Sequence, residues 1–140
     1  VGVGSWGRLA LAFTREAPTA SAALVSALAD VRRAEPRARL IEASPDLVGL
    51  TDVAALLGVT RQNVRKLILA CDAAAPVPVH EGRPTIWRLA KVLVWLKDEK
   101  SYRVPEKLLE VAVATLQVNL AVAARDADRV AQRELAGLLA

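Results

Sequence analysis

Near the start of the chain, apolar and small or polar positions alternate. Leu9, Leu11 and Phe13 are interleaved with Arg8, Ala10, Ala12 and Thr14, the period-two pattern of a half-buried strand. Gly4, Ser5 and Gly7 supply turn residues just before it, which makes residues 1–3 the end of an antiparallel neighbour. The period then changes. Leu24, Leu28 and Val31 fall at i, i+4 and i+7 between Pro18 and Pro36, so a helix is expected over 19–34. The stretch RARLIEAS, 37–44, reads as a returning strand. In SPDLVGL, Pro45 and Gly49 break both periods and mark a joint.

The stretch TDVAALLGVTRQNVRKLILA, 51–70, reads as two short helices. Thr51 is a suitable N-cap for the first, Asp52 suits its first turn, and Val53, Leu56 and Leu57 form its apolar face. Gly58 permits the left-handed turn, Val59 fills the gap between the helices, and Thr60 caps the second. There Val64, Leu67 and Ile68 are spaced for burial, while Arg61, Gln62, Asn63, Arg65 and Lys66 lie largely outside that stripe. Beyond it, 77–80 and 85–87 read as two extended pieces around a turn at Glu81, Gly82 and Arg83. A helix begins near Leu89, with Val92, Leu93, Trp95 and Leu96 on its inner face. From Pro105 the chain runs to Gly137 without Gly or Pro, and Leu109, Ala112, Val113, Leu116, Leu120 and Ala123 form one stripe. Val111, Val118 and Val122 add apolar surface on other sides, more than one core contact requires. Residues 126–140 either continue this helix or fray.

The elements sum to an α+β chain, mostly α in its C-terminal two-thirds. An α/β lobe occupies 1–47, a winged helix-turn-helix domain 48–103, and a long helix 104–140. Strand, strand, helix, strand is what remains of a partial ferredoxin-like lobe whose first strand and helix precede Val1; the alternative is a small lobe complete as it stands. The absence of any methionine agrees with the truncated version.

Composition narrows the chemistry. Hydrophobic residues make up 54% of the chain, enough for a substantial core, and aromatic residues only 4%, which favours helices over aromatic-rich sheets. The single Cys71 and single His80 leave no disulfide and no zinc set. Cys71 reads as a small packing residue at a helix end, and His80 as a solvated or phosphate-facing side chain beside a turn. With no paired carboxylates, phosphate loop or nucleophile elbow, no enzyme and no cofactor are expected. No apolar run reaches the ~20 residues of a membrane span and no signal peptide is apparent, so the default expectation is cytoplasmic, without membrane.

Charge locates the activity. Residues 51–103 hold nine Lys/Arg against five Asp/Glu, a net of +4, whereas 1–50 and 104–140 come to +1 and −1. A polyanion is expected to dock on the middle segment. A two-helix unit, a hairpin with a tryptophan on its return strand and a helix with a second tryptophan resemble the winged helix-turn-helix domains of the MerR and AlpA/excisionase group. The runs RLALAFTREA, LVGLTDVAALLGVTRQNVRKL and PVHEGRPTIWRLAKVLVWL are also similar to a family of small bacterial helix-turn-helix DNA-binding proteins, over roughly residues 1–125.

That resemblance implies double-stranded DNA as partner, with the helix 60–70 in the major groove. It makes Arg61, Gln62, Asn63 and Arg65 the base-reading residues and Thr60, Lys66, His80, Arg83 and Arg88 the phosphate or wing contacts, with Lys91 a weaker candidate. Glu81 departs from this picture, because a carboxylate at the wing tip repels phosphate. A transcriptional regulator is the expected role, dimeric through the helix 105–125. The alternatives are an adaptor or antitoxin-like protein that binds a partner through the α/β lobe, and an excisionase-like factor that bends DNA.

Overall fold

A computed structural model describes the chain apart from residues 1, 4, 71 and 72; the strand end at Val1 and the packing role of Cys71 lie outside the described residues. Two compact units divide at Ala38 and Arg39.

In the first unit, β1 (Gly2–Val3) pairs antiparallel with β2 (Leu9–Ala10) in the register Gly2↔Ala10 and Val3↔Leu9. The expected hairpin therefore forms, but its ladder stops at Ala10, while Leu11 and Phe13 continue unpaired and exposed. The Arg15 guanidinium lies 5.3 Å from the Phe13 ring centre and reaches Asp30 Oδ2 at 3.0 Å. The helix α1 (Ala20–Ala34) starts where Thr19 Oγ1 accepts from the Ala22 N–H. Its stripe is as spaced in the sequence, with Leu24, Leu28 and Val31 half-buried around Ala27.

The third strand is not there, and with it goes the ferredoxin-like reading. Residues 38–43 are irregular, and from Arg39 onward they belong to the second unit. A strand needs free backbone donors and acceptors, and here side chains of a later helix take them. Asn119 accepts from Ala43 N–H at 2.7 Å and donates to Ala43 C=O at 2.9 Å, and Arg125 Nη1 donates to Leu40 C=O at 3.1 Å.

The second unit holds β3 (Leu47–Val48), α2 (Leu50–Leu57), α3 (Arg61–Leu69), β4 (Trp87–Arg88), α4 (Leu89–Asp98), α5 (Glu106–Asp126) and α6 (Arg129–Leu139). β3 and β4 pair antiparallel, Leu47↔Arg88 and Val48↔Trp87, tying the chain before α2 to the chain before α4. Val53, Val64, Leu89, Val92, Leu93 and Leu96 have no exposed surface and form the centre of the core, closed by Trp87, Trp95, Ala112 and Leu116.

A buried polar seam runs beneath this core. Asp46 is 3% exposed. One of its carboxylate oxygens accepts from Arg88 Nη1 and, at 2.7 Å, from Asn119 Nδ2. Its backbone C=O accepts from Leu89 N–H at 2.7 Å, and Thr115 Oγ1 donates to Pro45 C=O at 2.6 Å. β3, the start of α4 and the middle of α5 thus meet at one carboxylate.

The last helices differ from the single run expected. α5 ends at Asp126, and Asp128 starts α6 by accepting from the Val130 and Ala131 N–H groups. Arg39 and Arg125 both bind Asp126. The hydrogen bond from Arg125, helped by the positive charges of Arg125 and Arg39, holds the Asp126 carboxyl below its usual range. By length and composition α5 is apolar enough to cross a membrane, unlike any run anticipated in the sequence. Its uncharged stretch, 111–124, spans only ~21 Å against the ~30 Å of a bilayer core, and Ala112, Ala114, Thr115 and Leu116 on it are buried.

Candidate nucleic-acid interface

α2 and α3 form the two-helix unit. The first begins two residues earlier than Thr51 suggests. Gly49 is its N-cap, because Asp52 Oδ2 reaches back to accept from Gly49 N–H at 2.8 Å, and Thr51 lies inside the helix. At the other end Gly58 takes φ 67, the left-handed conformation that ends α2 and that a side chain disfavours. Val59 N–H donates to Ala54 C=O at 2.9 Å, folding Val59 back over the crossing of the helices. Thr60 then caps α3, its Oγ1 accepting from Asn63 N–H at 3.2 Å. Val53, Ala54 and Val64 are buried at the crossing, Leu57, Leu67 and Ile68 are half-buried around it, and Leu56, expected on the apolar face, is exposed.

This packing leaves the other side of α3 to solvent. Arg61, Gln62, Asn63, Arg65 and Lys66 are all exposed, and none of their side chains has a hydrogen bond or ion pair among the described residues. At about 100° per residue they do not share one direction. Arg61 and Arg65 occupy one edge of the exposed arc, Gln62 its middle, and Lys66 and Asn63 the far edge, next to Leu67. On that far side Asn63, Lys66, Leu67 and Tyr102 line an open depression. Tyr102, the one tyrosine of the chain, was not singled out by sequence reasoning. Its position between the end of α4 and Pro105 was the available signal, but its nearness to α3 depends on tertiary packing.

The hairpin expected after α3 is present in short form. Val79 N–H donates to Ile86 C=O at 2.8 Å and Ile86 N–H to His80 C=O at 2.9 Å, and Thr85 Oγ1 closes the tip on Gly82 C=O. His80 and Ile86 are bridged antiparallel. At the base, buried Trp87 donates its indole N–H to Pro76 C=O at 3.1 Å. Glu81 and Arg83 are exposed at the tip. The His80 ring lies across Gly82 so closely that a Cβ there would stand 2.2 Å from Nε2. His80 thus lies over its own turn and is exposed.

Arg88 corrects the set of phosphate contacts. Its guanidinium is drawn inward onto Asp46, leaving the side chain 26% exposed against 2% for the carboxylate. An arginine that neutralises a buried charge is not free to neutralise phosphate as well. Lys91 remains exposed on α4. The arrangement therefore brings Arg61, Gln62, Asn63, Arg65 and Lys66 to one surface, holds His80 and Arg83 on the hairpin, and withdraws Arg88. No protein-family model, curated protein or solved structure matches the chain.

Proposed function

We propose that this protein binds double-stranded DNA with a sequence preference, inserting α3 into the major groove as a regulator of transcription. One observation carries the reading: α3 is capped by Thr60 and packed through Val64, Leu67 and Ile68, yet presents five exposed polar side chains, three of them cationic, that make no hydrogen bond or ion pair among the described residues. Arg, Gln and Asn on that face match the donor and acceptor patterns of base edges, at ~1–3 kcal/mol of discrimination per good pair. The hairpin that follows α3 in the chain carries exposed Arg83 at its tip, a cation suited to the phosphate backbone. The outward apolar residues of α5 suit a second subunit, and a symmetric dimer would place two recognition helices on half-sites about 10 bp apart.

The test is selection of bound fragments from random DNA, followed by titration of selected and random duplexes at several salt concentrations. Affinity is expected to fall steeply with salt, and Arg61→Ala and Arg65→Ala to lose the selected sequence more than the random one. Absence of binding to both duplexes at low salt would sink the reading.

A further inference from the structure

The far edge of α3 carries a second level of assignment, which rests on the DNA-binding reading. We propose that the depression lined by Asn63, Lys66, Leu67 and Tyr102 seats one phosphate of the nucleic-acid backbone, with Lys66 Nζ supplying charge and the Asn63 amide and Tyr102 hydroxyl donating hydrogen bonds.

Three features support a phosphate. Every polar side chain lining the depression can donate and no carboxylate lines it. None of the three side chains has a hydrogen-bond partner among the described residues, so their donors are unspent there. And Tyr102 is held in place: its N–H donates to Leu96 C=O, six residues back, at 2.9 Å, and its half-buried side chain packs against the core. The residue just before it, Ser101, takes φ 48, a left-handed conformation in which glycine is the easy choice. A strained residue that sets a tyrosine beside a recognition helix is a positioning device.

Donors gathered around the depression at the far rim suit the backbone, whose contacts set register and carry no sequence information. Asn63 accordingly moves from reading bases to holding the backbone, leaving Arg61, Gln62 and Arg65 to discriminate.

The experiment is anisotropy titration of the full chain with a selected and a random duplex. Tyr102→Phe keeps the ring and removes one donor. It should weaken both duplexes by the same factor, about 10-fold, with the salt slope unchanged. Lys66→Ala should weaken both and lower the salt slope by about 0.9. Asn63→Ala should behave like Tyr102→Phe, in contrast to Arg61→Ala, which loses the selected sequence preferentially. If Tyr102→Phe shifts the melting temperature, the two exposed positions, Asn63 and Lys66, carry the test alone. The proposal is overturned if the variants bind as the wild type does, or if their losses are confined to the selected duplex. Failure of the wild type to bind either duplex overturns the DNA reading itself and the backbone seat with it. In that event amide shifts at Lys66 and Tyr102 on adding inorganic phosphate would reassign the depression to the free anion.

Discussion

Ser101 and Asp46 are two residues at which the protein accepts a local cost for placement. A non-glycine residue at φ 48 is disfavoured because its Cβ crowds the backbone. Ser101→Gly should therefore stabilise the fold by ~1 kcal/mol, raising the melting temperature by ~4 °C. Circular dichroism melts would show a fall instead if the serine side chain were itself needed. At Asp46 the cost is that of a buried charge, offset by Arg88 and Asn119. Arg88→Ala leaves that carboxylate without its counter-charge and should cost ~3 kcal/mol in urea unfolding. Adding Asp46→Asn to that variant should recover a large part of the loss, since the buried charge is gone. No recovery would mean that Arg88 contributes mainly by packing.

At the scale of elements, Gly58 divides one apolar run into two helices. A Cβ built there meets nothing within 4 Å, so the only penalty for Gly58→Ala is the left-handed backbone, ~1 kcal/mol. DNA affinity should be retained at temperatures where the variant is folded; a loss in the folded state would show that the angle between α2 and α3 had changed. This element was legible in the sequence because everything that shapes it is local: the left-handed glycine, the Thr60 cap, and valines and leucines three and four apart. The Gly49 cap was misplaced by two residues because Thr51 has the better intrinsic preference, while the Asp52 carboxylate favours the earlier start. The strand at 37–44 was misread for a different reason. Its apolar pattern was real, but the partner of Ala43 is Asn119, 76 positions away, and no local pattern announces a side chain that replaces a neighbouring strand. Arg88 was misassigned in the same way, since its proximity to Asp46 arises only when β3 and β4 pair. Of the candidate site, the α3 face was readable from periodicity, and Tyr102 was not.

At the scale of the whole molecule, the distribution of apolar surface is uneven. α5 buries Ala112, Ala114, Thr115 and Leu116, yet Val113 and Leu120 on the same helix are exposed at 41% and 47%. α6 has no buried residue although Val130, Leu135, Leu138 and Leu139 all lie on it. A helix of 11 residues without packing is marginal in water, so self-association is the expected means of covering this surface. Sedimentation should show a dimer, and Leu120→Asp, at a position already exposed, should shift it to monomer without changing the helical signal. A wild-type chain that sediments as a monomer at all concentrations would remove the two-half-site arrangement while leaving α3 as a reading element.

The Asp46 seam also bears on the order in which the chain can become active. Synthesis delivers α2, α3 and the hairpin first, but the groups that close their scaffold, Thr115 and Asn119, emerge only later, along with the α5 surface that covers α4. Until then Asp46 has Arg88 but not Asn119, and α4 carries a bare apolar face of the kind that chaperones bind. On the DNA-binding reading proposed above, α3 therefore gains its completed scaffold only after α5 has left the ribosome.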